Sequence, residues 1–129
     1  MENRTVLTYG TFDCLHYGHL NLIRLAKSLG TRLIIGLSSD DFNKLKGKTS
    51  FQSFDERKIN LESIRHVDFV FEENNWEQKI NDVITYKVDL FVIGDDWIGK
   101  FDFLKDYCEV AYLPRTEQIS STMIRRLIK

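Results

Sequence analysis

The chain has 129 residues, of which 43% are hydrophobic, and its formal net charge is -1 at pH 7. This length suits one domain, residues 1–129, with a core built around a sheet. The balanced charge excludes the global positive field of nucleic-acid-binding proteins. No apolar run approaches the roughly 20 residues of a bilayer-spanning helix, so we expect neither a nucleic acid nor a membrane as partner.

The cysteine content and the amino terminus bear on the cellular compartment. Cys14 and Cys108 form no Cys-x-x-Cys motif, and the start of the chain, Met1-Glu2-Asn3-Arg4, lacks the apolar region of a secretory signal peptide. We therefore expect a cytoplasmic protein with reduced thiols.

Strand-like runs alternate with helical patterns in the first half of the chain. A β-branched run at residues 5–8, an amphipathic pattern ending at Gly30 and an apolar run at residues 33–37 predict a strand, a helix and a strand. A capping box at Ser53-Phe54-Asp55-Glu56 predicts a second helix. The apolar positions assigned to these two helices are Leu22, Ile23, Ala26 and Leu29, and then Ile59, Leu61 and Ile64.

The same alternation continues to the end of the chain. Strands are predicted at residues 67–71, 90–93 and 110–113, and the unbroken apolar run of the second is typical of a buried parallel strand. A weak cap at Asn75 and Gln78 precedes another helical pattern, and Ser120 or Ser121 opens a terminal helix. We predict an α/β fold with a doubly wound, mainly parallel sheet and helices on both faces.

Two histidines follow the first predicted strand. Gly10-Thr11-Phe12-Asp13 is predicted to form a turn, in which Asp13 has a structural role, and it leads into His16-Tyr17-Gly18-His19 at a helix start. Histidines three residues apart share one helix face, and the helix N-terminus attracts anions through free N–H groups and the dipole. The sequence therefore predicts a phosphate site there.

Other polar residues are predicted to lie at the same edge of the sheet. Gly94-Asp95-Asp96-Trp97 and Arg115-Thr116 follow later strands, and residues 44–52 form a basic loop, predicted to be mobile, with lysines around Gly47. Because Arg and helix-start hydroxyls bind phosphate oxygens, the set suits a triphosphate. Neither a Walker-type loop nor the triple-glycine dinucleotide motif is present. A metal site at Cys14, His16 and His19 is an alternative, with fewer ligands than zinc usually requires.

Five segments together resemble a known enzyme group. They are Gly10-Thr11-Phe12-Asp13, His16-Tyr17-Gly18-His19, Asn75-Trp76-Glu77-Gln78-Lys79, Gly94-Asp95-Asp96-Trp97 and Arg115-Thr116-Glu117-Gln118-Ile119-Ser120-Ser121-Thr122. The chain resembles the nucleotidyltransferases with a His-x-Gly-His signature and, within them, the glycerol-3-phosphate cytidylyltransferases. The resemblance implies a Rossmann-like nucleotidyltransferase fold and, as substrates, CTP and sn-glycerol 3-phosphate.

The resemblance also implies roles for individual residues. His16, His19, Lys48 and Arg115 would be catalytic. The acceptor, glycerol 3-phosphate, would contact Thr11, Phe12, Lys46, Trp76 and Lys79. The nucleotide would contact Tyr9, Gly10, Thr11, Phe12, His16, His19, Lys48, Asp96, Arg115, Thr116, Ile119, Ser120, Ser121 and Thr122.

The implied reaction gives CDP-glycerol and pyrophosphate, with Mg²⁺ bound to CTP, and supplies a surface glycerol-phosphate polymer such as teichoic acid or a capsule. A phosphate monoester with a second pKa of about 6 is mostly dianionic at neutral pH, so the acceptor needs no general base and the histidines act as donors. The resemblance further implies a homodimer.

Two alternatives remain open from the sequence. One keeps the fold but uses another acceptor, such as phosphoethanolamine or a sugar phosphate, or transfers AMP. The other is a non-catalytic nucleotide-binding module, because a fold alone does not fix a function. An acceptor panel separates the first alternative, and binding without turnover identifies the second.

Overall fold

The computed structural model describes residues 3–114 and shows a five-stranded sheet in which every neighbouring pair is parallel. The strand order is β3-β2-β1-β4-β5. The strands are β1 Thr5–Gly10, β2 Arg32–Ser38, β3 Phe69–Glu73, β4 Leu90–Gly94 and β5 Glu109–Leu113.

Four α-helices and two short 3₁₀ helices connect the strands. The α-helices are α1 Tyr17–Ser28, α2 Asp40–Leu45, α3 Phe54–Glu62 and α4 Lys79–Thr85. The 3₁₀ helices, Asp95–Trp97 and Asp102–Asp106, lie between β4 and β5.

Helices cover both faces of the sheet because alternate strand residues point to opposite sides. On one side, Ile23 of α1 and Leu61 of α3 belong to the same buried cluster as Val6 of β1. On the other, Val83 of α4 packs with Leu7 of β1. The prediction of a doubly wound, parallel α/β fold is confirmed.

The chain reverses its direction of winding at β1, which lies between β2 and β4. In open parallel sheets, ligands bind at such a switch point, in the crevice beyond the carboxyl ends of the strands. Here that crevice lies between the segment after Gly10 and the segment after Gly94. Both segments were predicted to contribute to the site.

Several local predictions were wrong. The helix α2 was not predicted, and it extends to Leu45, so the basic loop begins later than residue 44. In α3, Ile59 is exposed, whereas Arg57 is fully buried. The side chain of Gln78 does not cap α4, because it accepts hydrogen bonds from Asn74 N and Asn75 N instead.

Three further expectations concern the cap of α3, the terminal helix and membrane-spanning helices. The capping box of Ser53 and Glu56 is present at the start of α3. The predicted terminal helix lies outside the described residues. Within residues 3–114, none of the helices has the length and apolar character needed to cross a membrane.

Candidate active site

The turn between β1 and α1 has an unusual backbone. Phe12 and Cys14 adopt left-handed conformations, with φ of 48° and 51°, and such conformations in non-glycine residues concentrate at functional sites. The Phe12 ring folds back over Gly10, where a Cβ atom would come within 2.8 Å of it. A side chain at position 10 would therefore displace the Phe12 ring. The turn places His16 at the start of α1.

The two histidines form the N-terminal cap of α1. His16 is the N-cap residue, and its Nδ1 accepts a hydrogen bond from Gly18 N at 3.0 Å. His19 Nδ1 accepts one from His16 N at 3.3 Å. The rings stack with their centroids 4.0 Å apart. An imidazole pair here does the work that Ser and Glu do in an ordinary capping box.

These contacts determine which ring nitrogens carry protons. In a neutral imidazole one nitrogen donates and the other accepts, and the hydrogen-bond network identifies which. Because both Nδ1 atoms accept backbone hydrogen bonds, the proton of each neutral ring is on Nε2. Burial lowers the pKa of His19 to about 4, and the charge of His16 acts in the same direction while Asp13 opposes it. His19 is therefore a neutral Nε2–H donor at pH 7.

The same contacts bear on the alternative of a metal site. Both Nδ1 atoms are occupied by backbone donors, and the Cys14 thiol lies 3.9 Å from Asp13 Oδ1. Among residues 3–114, no group of three or more His, Cys, Asp or Glu side chains is arranged to hold a metal ion. The geometry favours an anion site over a zinc site.

Asp13 connects the basic loop to the turn between β1 and α1. Its buried carboxylate accepts hydrogen bonds from Phe51 N at 2.7 Å and from Gln52 N at 2.9 Å. The Gln52 side chain accepts a further bond from Cys14 N at 3.0 Å. Asp13 therefore holds the end of the loop that contains Lys46 and Lys48. The sequence predicted only a structural role of Asp13 in the turn.

Arg57 joins the same segments from inside the protein. Its guanidinium is fully buried and donates to three carbonyls, those of Thr11, Ser38 and Gln52, at 2.8 to 3.1 Å. It also pairs with Asp40 at 2.7 Å. The five donors of an arginine make this possible, because no other side chain can satisfy four acceptors in a plane. Arg57 ties the carboxyl ends of β1 and β2 to the loop.

The amide of Asn43 links Thr11 to the basic loop. Thr11 Oγ1 donates to Asn43 Oδ1 at 3.0 Å, and the carbonyl of Asn43 accepts from Lys46 N and Lys48 N. The structure therefore brings Thr11, Lys46 and Lys48 together around one buried residue. These three residues were predicted for the site, whereas Asn43 was not.

Lys79 is buried rather than open to solvent. Its Nζ lies 2.5 Å from Glu73 Oε2, and it faces the rings of Tyr9, Trp76 and Phe101 at 4.6, 5.0 and 5.7 Å from their centroids. Cation–π contacts and an ion pair stabilise a charge removed from water. The predicted contact of Lys79 with an acceptor stays a prediction.

Lys46 is connected to that ion pair through a hydroxyl. Its Nζ donates to Ser38 Oγ at 2.8 Å, and Ser38 Oγ donates to Glu73 Oε1 at 2.9 Å. Burial lowers the pKa of Lys46 to about 8, and the Glu73 carboxylate opposes this effect. Lys46 is half-buried, so part of the residue remains accessible at the crevice.

Three of the remaining predicted residues lie in the described part of the chain, and six lie outside it. Trp76 is partly exposed, packs edge-on against Phe42 and lies near Trp97, so it borders the aromatic cluster around Lys79. Tyr9 is buried, and burial together with its hydrogen bond to Asp82 raises its pKa far above the ordinary value. Asp96 is in the 3₁₀ helix after β4, on the other side of the crevice. The predicted residues outside the described part are Arg115, Thr116, Ile119, Ser120, Ser121 and Thr122.

Four residues that organise the site were not predicted, although two of them carry a sequence signal. Arg57 is four positions before Leu61 and therefore on the same helix face. Glu73 is a carboxylate at the carboxyl end of an apolar strand. Ser38 and Asn43 carry no comparable signal, because Ser38 bonds to Glu73 and Asn43 to Thr11, which are 35 and 32 residues away.

Comparison with known proteins agrees with this architecture. Residues 7–127 match the family model described as cytidylyltransferase-like. Among solved structures, the lipopolysaccharide core biosynthesis protein from Thermoplasma volcanium GSS1 superimposes with a TM-score of 0.75, at 21% identity, over 88% of this chain and 98% of its own. That likeness shows the shared fold.

Closer similarity is found among curated sequences. The chain is 56% identical to a glycerol-3-phosphate cytidylyltransferase of Bacillus subtilis (strain 168), over 97% of both sequences. It is 54% identical to the enzyme of that name from Staphylococcus aureus (strain NCTC 8325 / PS 47), over 95% of this chain and 93% of the relative. The chain belongs to the cytidylyltransferase-like family, within the group of the glycerol-3-phosphate cytidylyltransferases.

Proposed function

We propose that the protein transfers a cytidylyl group from CTP to sn-glycerol 3-phosphate, forming CDP-glycerol and releasing pyrophosphate. The observation that carries the proposal is the identity of more than half of the residues, over nearly the whole chain, with enzymes named for this reaction. The arrangement of the histidine cap, the basic loop and the crevice at the switch point fits the same chemistry.

The reaction is a displacement at phosphorus. An oxygen of the acceptor phosphate attacks the α-phosphorus of CTP and forms a new P–O bond. The bond from the α-phosphorus to the oxygen that bridges it to the β-phosphorus breaks, and pyrophosphate leaves with that electron pair. Because the acceptor is already mostly dianionic above its second pKa of about 6, no side chain has to remove a proton.

His16 and His19 stabilise the charge that develops during this step. Their Nε2–H groups are donors fixed in place by the cap of α1, and the helix N-terminus adds free N–H groups and a favourable dipole. Such preorganised donors act on the transition state without further reorganisation. Lys48 is placed by Asn43 near the same turn, where it can contact the triphosphate.

The acceptor occupies the neighbouring part of the crevice. Lys46 supplies an ammonium group, bound to Ser38 at the carboxyl end of β2, and the aromatic cluster around Lys79 forms the adjoining wall. A small polyol phosphate needs a local cation and a few polar contacts. Lys46 and the hydroxyl of Thr11 can supply them. Trp76 borders this region at the edge of the aromatic cluster, and Phe12 belongs to the turn that leads to Thr11 and His16.

Mg²⁺ is part of the proposal as a component of the CTP complex. The described residues hold no group of three or more potential metal ligands, and the Asp13 carboxylate already accepts backbone hydrogen bonds. This donor set fits an ion held chiefly by phosphate oxygens and water, which is how Mg²⁺ commonly binds nucleotides. When bound, Mg²⁺ would neutralise charge on the triphosphate.

Three further expectations belong to the proposal. The product would supply a surface glycerol-phosphate polymer, either teichoic acid or a capsule. The protein would act in the cytoplasm, where CTP is available, and would form a homodimer. Sedimentation of the purified protein tests the dimer directly.

The deciding experiment measures pyrophosphate release with each of the four nucleoside triphosphates, crossed against glycerol 3-phosphate, phosphoethanolamine and other phosphate monoesters. Turnover of CTP with glycerol 3-phosphate, strongly reduced in a His16→Ala variant, is the expected result. Selective use of ATP or of another acceptor would contradict the proposed substrates. CTP binding without turnover would identify a binding module.

A further inference from the structure

A chain of four polar side chains runs beneath the acceptor part of the crevice. From the inside outwards it consists of Lys79, Glu73, Ser38 and Lys46, joined at 2.5, 2.9 and 2.8 Å. Ser38 and Glu73 are buried, and Lys46 is partly accessible. The proposed reaction uses Lys46, but it assigns no role to Ser38 or Glu73.

The hydrogen-bond directions in this chain are fixed. A lysine ammonium only donates, and an ionised carboxylate only accepts. The Ser38 hydroxyl therefore donates its single proton to Glu73 Oε1 and accepts from Lys46 Nζ. Lys79, bound to the other carboxylate oxygen, prevents Glu73 from turning away. The orientation of Lys46 depends on every member of this chain.

The charges around Lys46 make its protonation depend on Glu73 as well. The groups that act on its ammonium are Glu73 on β3, Lys48 on the loop, Lys79 on α4 and Arg57 on α3. Three of these are cations, and Glu73 is the carboxylate that opposes them. Without it, Lys46 would be half-buried among positive charges only, which favours loss of its proton.

We infer that Glu73, acting through the Ser38 hydroxyl, is a positioning residue that holds the Lys46 ammonium charged and oriented for the acceptor phosphate. This inference rests on the proposed function, because it names how that site recognises its acceptor. Glu73 itself touches neither substrate. Its effect is on acceptor recognition, and CTP binding at the histidine cap is independent of it.

The test variant, Glu73→Gln, removes the charge of the side chain and keeps its shape. In Glu73→Gln, the KM for glycerol 3-phosphate rises about tenfold, the scale of one hydrogen bond involving a charged group, while the KM for CTP stays near the wild-type value. The KM for the acceptor in the wild type rises as pH passes through about 8, where Lys46 loses its proton. In the variant this rise occurs at lower pH, because the group that raises the Lys46 pKa is gone.

Three more variants complete the test. Glu73→Asp keeps the charge and retains more of the wild-type pH profile than Glu73→Gln. Ser38→Ala breaks the link to Lys46 but keeps the Glu73–Lys79 ion pair, so it decides the question if Glu73→Gln does not fold. Glu72→Gln, an exposed carboxylate on the same strand, is the matched control and leaves both KM values unchanged.

Two results would overturn the inference. The first is a folded Glu73→Gln or Ser38→Ala with wild-type KM for the acceptor and an unshifted pH profile. The second is an equal change in both KM values without a pH shift, which is the signature of general structural damage. If the wild type and Glu72→Gln both fail to turn over glycerol 3-phosphate, the proposed function fails and the inference fails with it.

Discussion

The imidazole rings of His16 and His19 stack at 4.0 Å between centroids, with 26° between their planes. Each ring gives its Nδ1 to a backbone N–H of the same helix turn, so the pair is fixed before any ligand arrives. A His-x-x-His spacing at a helix start thus serves two purposes. It caps the helix, and it directs two Nε2–H donors away from the backbone they cap.

The two purposes of His16 can be separated by mutation. His16→Ala removes both and is expected to lower turnover on the order of a hundredfold, the scale of losing one transition-state donor, and to lower the free energy of unfolding by about 1 kcal/mol. His16→Asn keeps a good N-cap and lacks the ring donor. It should therefore recover stability without recovering turnover, as measured by urea unfolding and pyrophosphate release.

His66 provides the matched control for this pair of variants. It lies between α3 and β3, away from the histidine turn, so His66→Ala should retain turnover within about twofold and lose less than about 0.5 kcal/mol. Full recovery of turnover in His16→Asn would contradict the role of the imidazole as a donor.

His19 makes the stability of the fold depend on pH. Its pKa is about 4 in the folded protein, against an ordinary value of 6.5. Between these values the unfolded chain binds the proton and the folded chain does not, so the free energy of unfolding rises with pH across this window. Below about pH 4 and above pH 6.5, His19 contributes no further change.

Urea unfolding of the wild type and of His19→Gln at pH 5 and pH 7.5 measures this effect. The wild type should lose stability between pH 7.5 and pH 5. The variant should lose less over the same interval, because glutamine does not titrate. An equal loss in both proteins would show that other groups cause the pH dependence.

Asp13 is expected to matter through the loop that it holds. In Asp13→Asn, one of the two carboxylate oxygens that accept from Phe51 N and Gln52 N becomes an amide NH₂ group, which leaves a backbone donor unpaired. The free energy of unfolding should fall by about 1–3 kcal/mol. Trypsin should cleave after Lys46 or Lys48 faster than in the wild type, and the KM for CTP should rise.

Asp106→Asn is the control for this change, because Asp106 is exposed and ends a 3₁₀ helix remote from the loop. It should alter neither the cleavage rate nor the KM. If Asp13→Asn resists trypsin as the wild type does, the loop is held by other contacts.

The strands could be predicted because each is a short apolar run between helical patterns. All five observed strands overlap the predicted ones, and the unbroken apolar run of β4 is buried as predicted. The short helix Asp40–Leu45 escaped prediction because it has six residues, too few to show a periodic apolar face.

The predicted site contained residues with a local sequence signal and missed the buried residues that hold them in place. His16 and His19 belong to a local motif, and Lys46 and Lys48 belong to a segment with a recognisable basic composition. The partners of Arg57 are 5 to 46 residues away, and those of Glu73 are 6 and 35 residues away. A single sequence does not reveal such pairings, because only the folded sheet brings β1, β2 and β3 together.

Arg57 should be the residue whose loss destabilises the site most. Arg57→Lys retains the charge but cannot donate to Thr11 O, Ser38 O and Gln52 O together, which leaves buried carbonyls unpaired. A decrease of about 2–4 kcal/mol in the free energy of unfolding is expected. Arg24→Lys, an exposed arginine of α1, should change it by less than about 0.5 kcal/mol. Similar values for the two variants in urea unfolding would contradict this role of Arg57.

Removal of divalent cations should stop turnover without unfolding the protein. Among residues 3–114, no group of three or more His, Cys, Asp or Glu side chains is arranged to hold a metal ion. We therefore expect EDTA to abolish pyrophosphate release and to leave the thermal unfolding midpoint unchanged. Added Mg²⁺ should restore turnover, and CTP should raise the midpoint more with Mg²⁺ than without it, because binding to the folded state stabilises it. A midpoint lowered by EDTA alone would instead reveal a structural metal ion and would reopen the zinc alternative at Cys14, His16 and His19.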